Sequence, residues 1–302
     1  MTRLAYLGTP ELAVPPLQAL VAAGHDVAVV VTRPDRRRGR GAATSASPVK
    51  EAAERLGIPV VHDHRQLIGA GVDLGVVVAY GRIIPADVLA AVPMVNLHFS
   101  LLPRWRGAAP VERALLAGDP VTGVCVMAVE EGLDTGPVYL REEAGIGADD
   151  DLATLRDRLV GIGSRLLVQA LSGPLPEPQP QQGAPTYADK IDPAELQLHL
   201  EQPAAQLDRV VKLDRAWTTF RDRRLRVLRA RPTGPGSIGP GSIGPGSIGP
   251  RPAGPPGTLD GEVVATGDGG LALLAVQPEG KGPMAAADWL RGIRPVPGEQ
   301  LG

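Results

Sequence analysis

Apolar runs and helical patterns alternate along the first 100 residues. The apolar runs that predict strands cover residues 4–7, 27–31, 74–78 and 94–97. Thr9 and Pro10 predict the start of a helix that Gly24 ends, and Ser47 followed by Pro48 predicts a second helix. Strands joined by crossover helices build a parallel sheet, so this part of the chain predicts an α/β fold with a doubly wound sheet.

The middle of the chain carries two longer strand patterns and one long helix. Residues 121–129 and 137–146 are rich in strand-forming residues and flank the turn-like sequence EEGLDTG. Apolar residues spaced by 3 and 4 then mark one face of a helix, at Leu152, Leu155, Leu159, Ile162 and Leu166. Residues 174–185 are rich in proline and glutamine without periodicity, so we predict an extended linker that leaves the first domain.

The last third of the chain predicts a smaller, mostly β domain. Residues 204–212 are amphipathic, residues 217–232 resemble a strand pair, and short apolar stretches follow between glycine turns, as in an OB-like barrel. GPGSI occurs three times in a tract that buries too little apolar surface to become ordered, which predicts a disordered loop at 234–257. The predicted division is a first domain at 1–186, a linker at 187–203 and a second domain at 204–302.

Composition narrows the function classes. The chain has a formal net charge of −2 and contains no apolar run of the ~20 residues that a membrane span needs. Its opening residues lack the basic start, apolar centre and cleavage site of a signal peptide. The single cysteine, Cys125, can form no internal disulfide, and it excludes a cysteine-rich metal site. We therefore expect a cytoplasmic protein that does not associate with membranes.

The turn after the first predicted strand reads LGTPEL, where a dinucleotide-binding Rossmann fold would carry GxGxxG. Of the three glycines only Gly8 is present. We therefore expect a Rossmann-like sheet without a nicotinamide cofactor.

Polar residues gather at the end of the strand at 94–97. Asn96 and His98 lie two positions apart, so in a strand both side chains leave the same side of the sheet. Ligands of open α/β sheets bind beyond the carboxyl ends of strands, which favours a functional pair over buried polar residues satisfied by main chain. Asp134 of the GLDTG turn is the best candidate to orient the histidine, and the alternative is an ordinary turn aspartate.

Five stretches together resemble the methionyl-tRNA formyltransferases over nearly the whole chain. They are LGTPELA, RPDRRRGRGAATSASPVK, NLHFSLLPRWRGAAP, GLDTGPV and VPGEQLG. The central motifs are shared by the wider group of 10-formyltetrahydrofolate-dependent transferases and hydrolases, whereas the GRG loop and the C-terminal domain point to tRNA. The resemblance implies transfer of a formyl group from the co-substrate 10-formyltetrahydrofolate to the α-amine of methionyl-initiator tRNA, for translation initiation. It makes 1–186 the catalytic domain and 204–302 the tRNA-binding domain.

The resemblance also implies roles for the polar residues. Asn96 would donate an amide N–H to the oxygen of the tetrahedral intermediate, and His98 would move a proton between the attacking amine and the departing N10. Asp134 would orient His98 and favour its charged form. This scheme requires no metal, and the sequence shows no cluster of side chains at metal-ligand spacing.

Similarity to the family implies that two segments bind the folate co-substrate. The alternative is that their apolar residues belong to the hydrophobic core. The residues concerned are Ala79, Tyr80, Gly81, Ser100, Leu101, Leu102 and Pro103. Main-chain groups and apolar walls of these segments would hold the pterin.

Two arginine-rich runs, one in each predicted domain, suit the phosphates and bases of a tRNA acceptor stem. The residues expected to bind tRNA are Arg38, Arg40, Arg224 and Arg226. The alternative is solvated surface charge. We expect initiator methionyl-tRNA as the partner of a monomeric enzyme.

Two other function classes stay open at this level. The same donor chemistry would serve a small amine, a sugar-nucleotide or the hydrolysis of 10-formyltetrahydrofolate, and activity would then be indifferent to tRNA. A noncatalytic RNA-binding protein would keep its binding without Asn96 and His98 and would show no turnover. The presence of all three polar residues argues against this last class.

Overall fold

The structure is a computed structural model that describes residues 2–37, 44–234 and 252–302. The chain divides into two compact units. The first comprises Met1–Val111, Pro120–Ile146 and Thr154–Asp189. The second comprises Glu112–Asp119, Gly147–Ala153 and Lys190–Gly302.

The regular elements up to residue 189 are strands with α-helices between them. The strands are β1 (Arg3–Gly8), β2 (Asp26–Val31), β3 (Arg36–Arg37), β4 (Thr44–Ser45), β5 (Val60–Val61), β6 (Leu74–Val78), β7 (Met94–His98), β8 (Arg106–Gly107), β9 (Val121–Ala128), β10 (Val138–Gly145) and β11 (Tyr187–Ala188). The α-helices are α1 (Val14–Ala22), α2 (Pro48–Arg55), α3 (Ala86–Ala91), α4 (Pro110–Ala117) and α5 (Leu152–Leu171).

A seven-stranded sheet organises the first unit. The strand order is β10-β9-β7-β6-β1-β2-β5, and the five strands from β7 to β5 are parallel to one another. Strand β9 pairs antiparallel with both β7 and β10. All five residues of β6 and five of the six residues of β1 are buried, as expected for a parallel sheet covered on both faces. The predicted Rossmann-like, doubly wound fold is confirmed, and the antiparallel pair β9–β10 extends it beside β7.

The helix starts depend on proline and its neighbours. Helix α2 begins after Ser47 as predicted, and the Ser47 side chain accepts a hydrogen bond of 3.1 Å from the Lys50 N–H. The predicted start of the first helix is wrong by about one turn. A 3₁₀ helix covers Glu11–Ala13 and α1 follows it, because Pro15 and Pro16 lack N–H groups and fit only the first turn of an α-helix.

An antiparallel sheet organises the second unit. From residue 190 onward the elements are α6 (Ala204–Val211), β12 (Trp217–Phe220), β13 (Arg223–Thr233), β14 (Leu259–Asp260), β15 (Val263–Ala265), β16 (Gly270–Pro278), β17 (Met284–Ala285) and α7 (Ala286–Ile293). The strand order is β12-β13-β16-β15-β14, with β17 paired to β16. The prediction of a second, mostly β domain is confirmed.

The predicted linker has regular structure, whereas most of the predicted loop is not described. The predicted linker at 187–203 contains β11 and a 3₁₀ helix at Pro193–Leu196. Of the predicted loop at 234–257, residues 235–251 lie outside the described residues.

Phe220 and Trp289 anchor the apolar core of this second sheet. Their rings meet edge to face with centroids 5.2 Å apart, and the two residues are 7% and 5% exposed. Such aromatic pairs add to the stabilisation that burial of the rings already provides.

Replacement of Trp289 by alanine tests this core. We expect the free energy of unfolding to fall by about 3–5 kcal/mol, because the truncation removes buried apolar surface and leaves a cavity. Urea denaturation followed by circular dichroism measures the change. The control is Val296→Ala, at a position 62% exposed, where the same quantity should change by less than about 0.5 kcal/mol. Similar values for the two variants would contradict the described packing.

Candidate active site

Strand β7 presents Asn96 and His98 on the same face of the sheet. Asn96 lies inside the ladder, where it pairs with Val77 of β6 and Met127 of β9. His98 is the last residue of the strand and is 5% exposed. The pair therefore lies where the parallel part of the sheet meets the antiparallel part.

Asp134 brings its carboxylate to both side chains. Its Oδ1 lies 3.5 Å from Asn96 Nδ2, and its Oδ2 lies 3.6 Å from His98 Nδ1. The Gly107 N–H donates a hydrogen bond of 2.7 Å to the same Oδ2. The structure thus brings together the three side chains selected from the sequence, although Asn96 and Asp134 are 38 positions apart.

The other ring nitrogen of His98 is held by main chain. His98 Nε2 lies 2.9 Å from the carbonyl oxygen of Trp105. A carbonyl oxygen only accepts hydrogen bonds, so Nε2 carries a proton and Nδ1 is the nitrogen that faces the carboxylate. The imidazole is therefore oriented at both ends, as proton transfer by a histidine requires.

Residues in the left-handed backbone region frame this site. Trp105 has a φ of 62° and Asp134 a φ of 50°. Residues other than glycine rarely adopt such angles, and they keep them only where the surrounding contacts enforce them. In the turn that carries Asp134, a Cβ on Gly136 would lie 2.1 Å from the Ala128 carbonyl oxygen, so only glycine fits there. The conformation of the turn is therefore set by tight packing around it.

Gln181 also contacts the site, and sequence reasoning missed it. Its Nε2 donates to the carbonyl oxygens of Asp134 and Gly136, both at 2.8 Å, and its Oε1 accepts from Arg106 at 2.6 Å. Gln181 belongs to the proline-rich segment interpreted as a linker. The sequence carries no signal for this role, because two of the three partner groups are main-chain carbonyls that any residue supplies.

The first predicted folate segment follows β6. Ala79 and Gly81 have positive φ values of 46° and 71°. The Tyr80 side chain is buried in apolar core, and its hydroxyl lies 3.2 Å from His64 Nδ1. Burial lowers the pKa of His64, which favours the neutral imidazole beside this hydroxyl. Tyr80 can therefore meet a ligand only through its main chain.

The second predicted folate segment follows β7. Ser100 is fully buried, and its hydroxyl donates to the Arg104 carbonyl oxygen at 2.5 Å. Leu102 is buried in a small apolar cluster, and the Leu102–Pro103 peptide bond is cis. Leu101 and Pro103 are partly exposed. These last two residues are therefore the ones in this segment that keep side-chain surface for a ligand.

Cys125 pairs with His98 between β9 and β7 but has the properties of a core residue. It is fully buried, and burial raises the pKa of its thiol to about 11. The thiol is therefore protonated near neutral pH and is a poor nucleophile.

Two of the four arginines predicted to bind tRNA lie among the residues that the structure describes. On β13, the exposed Arg224 guanidinium stacks over the Trp217 ring, 4.4 Å from its centroid. Arg226 is partly buried and donates two hydrogen bonds of 2.9 Å to neighbouring groups. Arg38 and Arg40 lie outside the described residues. Arg224 is thus the predicted tRNA-binding residue with an exposed and oriented guanidinium.

A shallow cavity of about 490 Å³ lies between helix α3 and residues 129–132, beside the turn that carries Asp134. Among the residues that the structure describes, no three His, Cys, Asp or Glu side chains gather as metal ligands. Over the same ranges, no helix combines the length and apolar character that crossing a membrane requires.

Known proteins match both parts of the chain. Residues 2–171 match the family described as Formyl transferase, and residues 190–294 match Formyl transferase, C-terminal domain. The chain is 44% identical to the methionyl-tRNA formyltransferase of Jannaschia sp. strain CCS1, over 99% of each chain. It is 43% identical to the methionyl-tRNA formyltransferase of Paracoccus denitrificans, over 96% of this chain and 97% of the relative.

Solved structures share the fold. The N-formyltransferase of Helicobacter canadensis, in complex with folinic acid and dTDP-3-aminofucose, matches with a TM-score of 0.66 over 90% of this chain and 99% of its own. At 14% identity this likeness concerns the fold alone. The family matches to both domains and the near full-length relatives decide the assignment. This formyl-transferring enzyme belongs to the methionyl-tRNA formyltransferase family.

Proposed function

We propose that this enzyme transfers the formyl group of 10-formyltetrahydrofolate from N10 to the α-amine of methionine on initiator tRNA. The observation that carries the proposal is the meeting of Asn96, His98 and Asp134 at one point. An amide donor, an imidazole and a carboxylate are the groups that formyl transfer between two nitrogens needs. The names of the full-length relatives support the tRNA acceptor. Because initiator tRNA is used in the cytoplasm, we place the enzyme in that compartment. We further propose that it acts as a monomer.

Asn96 is the proposed oxyanion donor. Attack of the amine on the formyl carbon turns the carbonyl oxygen into an oxyanion, and a preorganised N–H stabilises this oxygen more than it stabilises the ground state. The Asn96 side chain is partly exposed, and the Asp134 carboxylate orients it from 3.5 Å. An amide nitrogen has two N–H donors, so one can face Asp134 while the other donates to the oxyanion.

His98 is the proposed proton carrier. The attacking amine loses a proton and the departing N10 gains one, so a single base that returns its proton balances the reaction. His98 Nδ1 lies 3.6 Å from Asp134, beyond ordinary hydrogen-bond length. Since Nε2 carries the ring proton, Nδ1 can accept a proton from a substrate atom or a water and return it, with the Asp134 carboxylate facing the imidazole throughout.

Exposed apolar side chains favour a folate co-substrate beside the proposed segments at 79–81 and 100–103. Ile83 is 87% exposed and follows the first segment, and Leu133 is 60% exposed and precedes Asp134. Large apolar side chains exposed beside a few polar groups are typical of a ligand-binding surface. Main-chain groups around Ala79 and Gly81 would bind the pterin edge, since the Tyr80 side chain is buried.

Arginines are the proposed contacts to the tRNA acceptor stem. Guanidinium groups bind phosphates in pairs of hydrogen bonds and stack on bases. Arg224 is stacked over Trp217 and exposed, so it loses little conformational freedom when it binds a phosphate. Arg38, Arg40 and Arg226 complete the proposed set.

Acceptor choice tests the proposed substrate. Purified enzyme and 10-formyltetrahydrofolate are incubated with initiator methionyl-tRNA, elongator methionyl-tRNA or an amino sugar-nucleotide. We expect rapid formylation of the initiator tRNA alone, measured as formylmethionine after release from the tRNA. Preferred formylation of the sugar-nucleotide, or formate release without an acceptor, would contradict the proposal and favour the other two uses of the same donor.

Substitutions at the polar residues test the chemistry. We expect Asn96→Ala to lower kcat/KM by about 10²–10³-fold, the usual cost of one lost oxyanion donor. His98→Ala should lower it by about 10²–10⁴-fold through loss of proton transfer. The control is His199→Ala in the second unit, whose side chain is 50% exposed and which should keep the wild-type rate. A folded His98→Ala enzyme with full activity would remove the role proposed for this residue.

Salt dependence tests the arginine contact. We expect Arg224→Ala to raise KM for methionyl-tRNA and to reduce the slope of log affinity against log salt by about 1. The reason is that the variant makes one phosphate contact fewer and so releases fewer counterions from the tRNA. Filter binding from 50 to 200 mM salt measures the slope. Arg291→Ala on α7, where the guanidinium pairs with Asp288, is the control. An unchanged slope for Arg224→Ala would exclude the phosphate contact.

A further inference from the structure

The segment after helix α5 is bonded to both sides of the candidate active site. The Gln179 N–H and carbonyl pair with those of Val138, both at 2.8 Å, just after the turn that carries Asp134. The Thr186 hydroxyl accepts a hydrogen bond of 2.9 Å from the Trp105 N–H, and Trp105 in turn holds His98. Between these two attachments lies residue 181, and we infer that Gln181 is a positioning residue for formyl transfer. The inference rests on the function proposed above.

One side-chain amide links the main chain around Asp134 to β8. Gln181 Nε2 donates to the carbonyl oxygens of Asp134 and Gly136, both at 2.8 Å, and so uses both of its N–H donors. Gln181 Oε1 accepts from Arg106 Nε at 3.1 Å and from Arg106 Nη2 at 2.6 Å. Arg106 precedes Gly107, whose N–H contacts the Asp134 carboxylate. The backbone and the side chain of Asp134 are therefore held from the same neighbouring strand.

The turn needs such support because its backbone is strained. Asp134 has a φ of 50°, which costs free energy for a residue with a Cβ and persists only when other contacts enforce it. Hydrogen bonds to the carbonyls of residues 134 and 136 fix two peptide planes of the turn. The direction in which the Asp134 side chain leaves the backbone, and with it the distance to His98, follows from those planes.

Arg106 determines which end of the amide faces the turn. The oxygen and nitrogen ends of a glutamine side chain have the same shape, but a guanidinium only donates hydrogen bonds. Arg106 therefore holds Oε1, and the NH₂ group is directed at the two carbonyls. A glutamate at 181 would keep the contact with Arg106 and lose both donors to the turn. Gln181→Glu is thus nearly isosteric, and it replaces the two donors to the turn by a carboxylate oxygen that repels both carbonyls. Gln182→Glu adds the same charge at an exposed position without touching the turn.

Steady-state kinetics of the Gln181→Glu enzyme test the inference. The matched control is Gln182→Glu, which makes the same substitution at the exposed neighbouring residue. We expect kcat for methionyl-tRNA to fall about 10- to 100-fold in Gln181→Glu, because a displacement of about 1 Å at a catalytic group has this effect. KM for tRNA and for the folate should change less than about twofold, since a positioning residue touches neither substrate. Gln182→Glu should behave as wild type. An unchanged kcat, or a rise in KM without loss of kcat, would overturn the inference.

Hydrogen exchange separates positioning from general destabilisation and does not need turnover. In Gln181→Glu the Gly107 amide, which donates to Asp134, should exchange faster, while amides of the buried strand β6 and the thermal midpoint stay at their Gln182→Glu values. Faster exchange throughout the first unit, or unchanged exchange at Gly107, would overturn the inference. If the wild-type enzyme does not formylate methionyl-tRNA, the proposed function fails, and the exchange at Gly107 still decides whether Gln181 holds the turn.

Discussion

The Asp134 carboxylate is the group on which the geometry of the site depends. One oxygen faces the Asn96 amide, and the other accepts the Gly107 N–H and faces His98. Its side chain is 15% exposed, so protein donors replace most of the water that a free carboxylate would bind. The donors come from β7 and β8, and the carboxylate comes from the loop between β9 and β10. A single anion therefore determines how three separate pieces of chain meet.

Features that depend on residues close in sequence could be predicted. The clearest example is the pair of polar residues on β7. Asn96 and His98 share a face because side chains alternate along any strand. The start of α1 was predicted wrongly because Thr9 does not cap it, and its hydroxyl donates instead to the Tyr80 carbonyl oxygen at 3.4 Å. That partner is 71 positions away, so no local pattern reveals it. The role of Gln181 escaped the sequence for the same reason.

Apolar residues at strand ends were the most ambiguous part of the sequence. Tyr80 and Leu102 fit the pattern of a ligand wall, yet the structure buries both, at 1% and 4% exposure. A buried core position and a pocket wall need the same kind of side chain, and only the packing of other elements distinguishes them. Charged residues on a strand are easier to interpret, since Arg224 alternates with the buried Leu225 and must face outward.

Residues far apart in sequence make the contacts around β8, and this determines when the active site can form during synthesis. Trp105 and Thr186 are 81 positions apart, and the short parallel ladder between β8 and β11 closes the loop between them. During synthesis the strand with the histidine and the turn with the aspartate emerge well before the segment that fastens them. A ribosome must therefore add residue 188 before the nascent chain can complete its own catalytic centre.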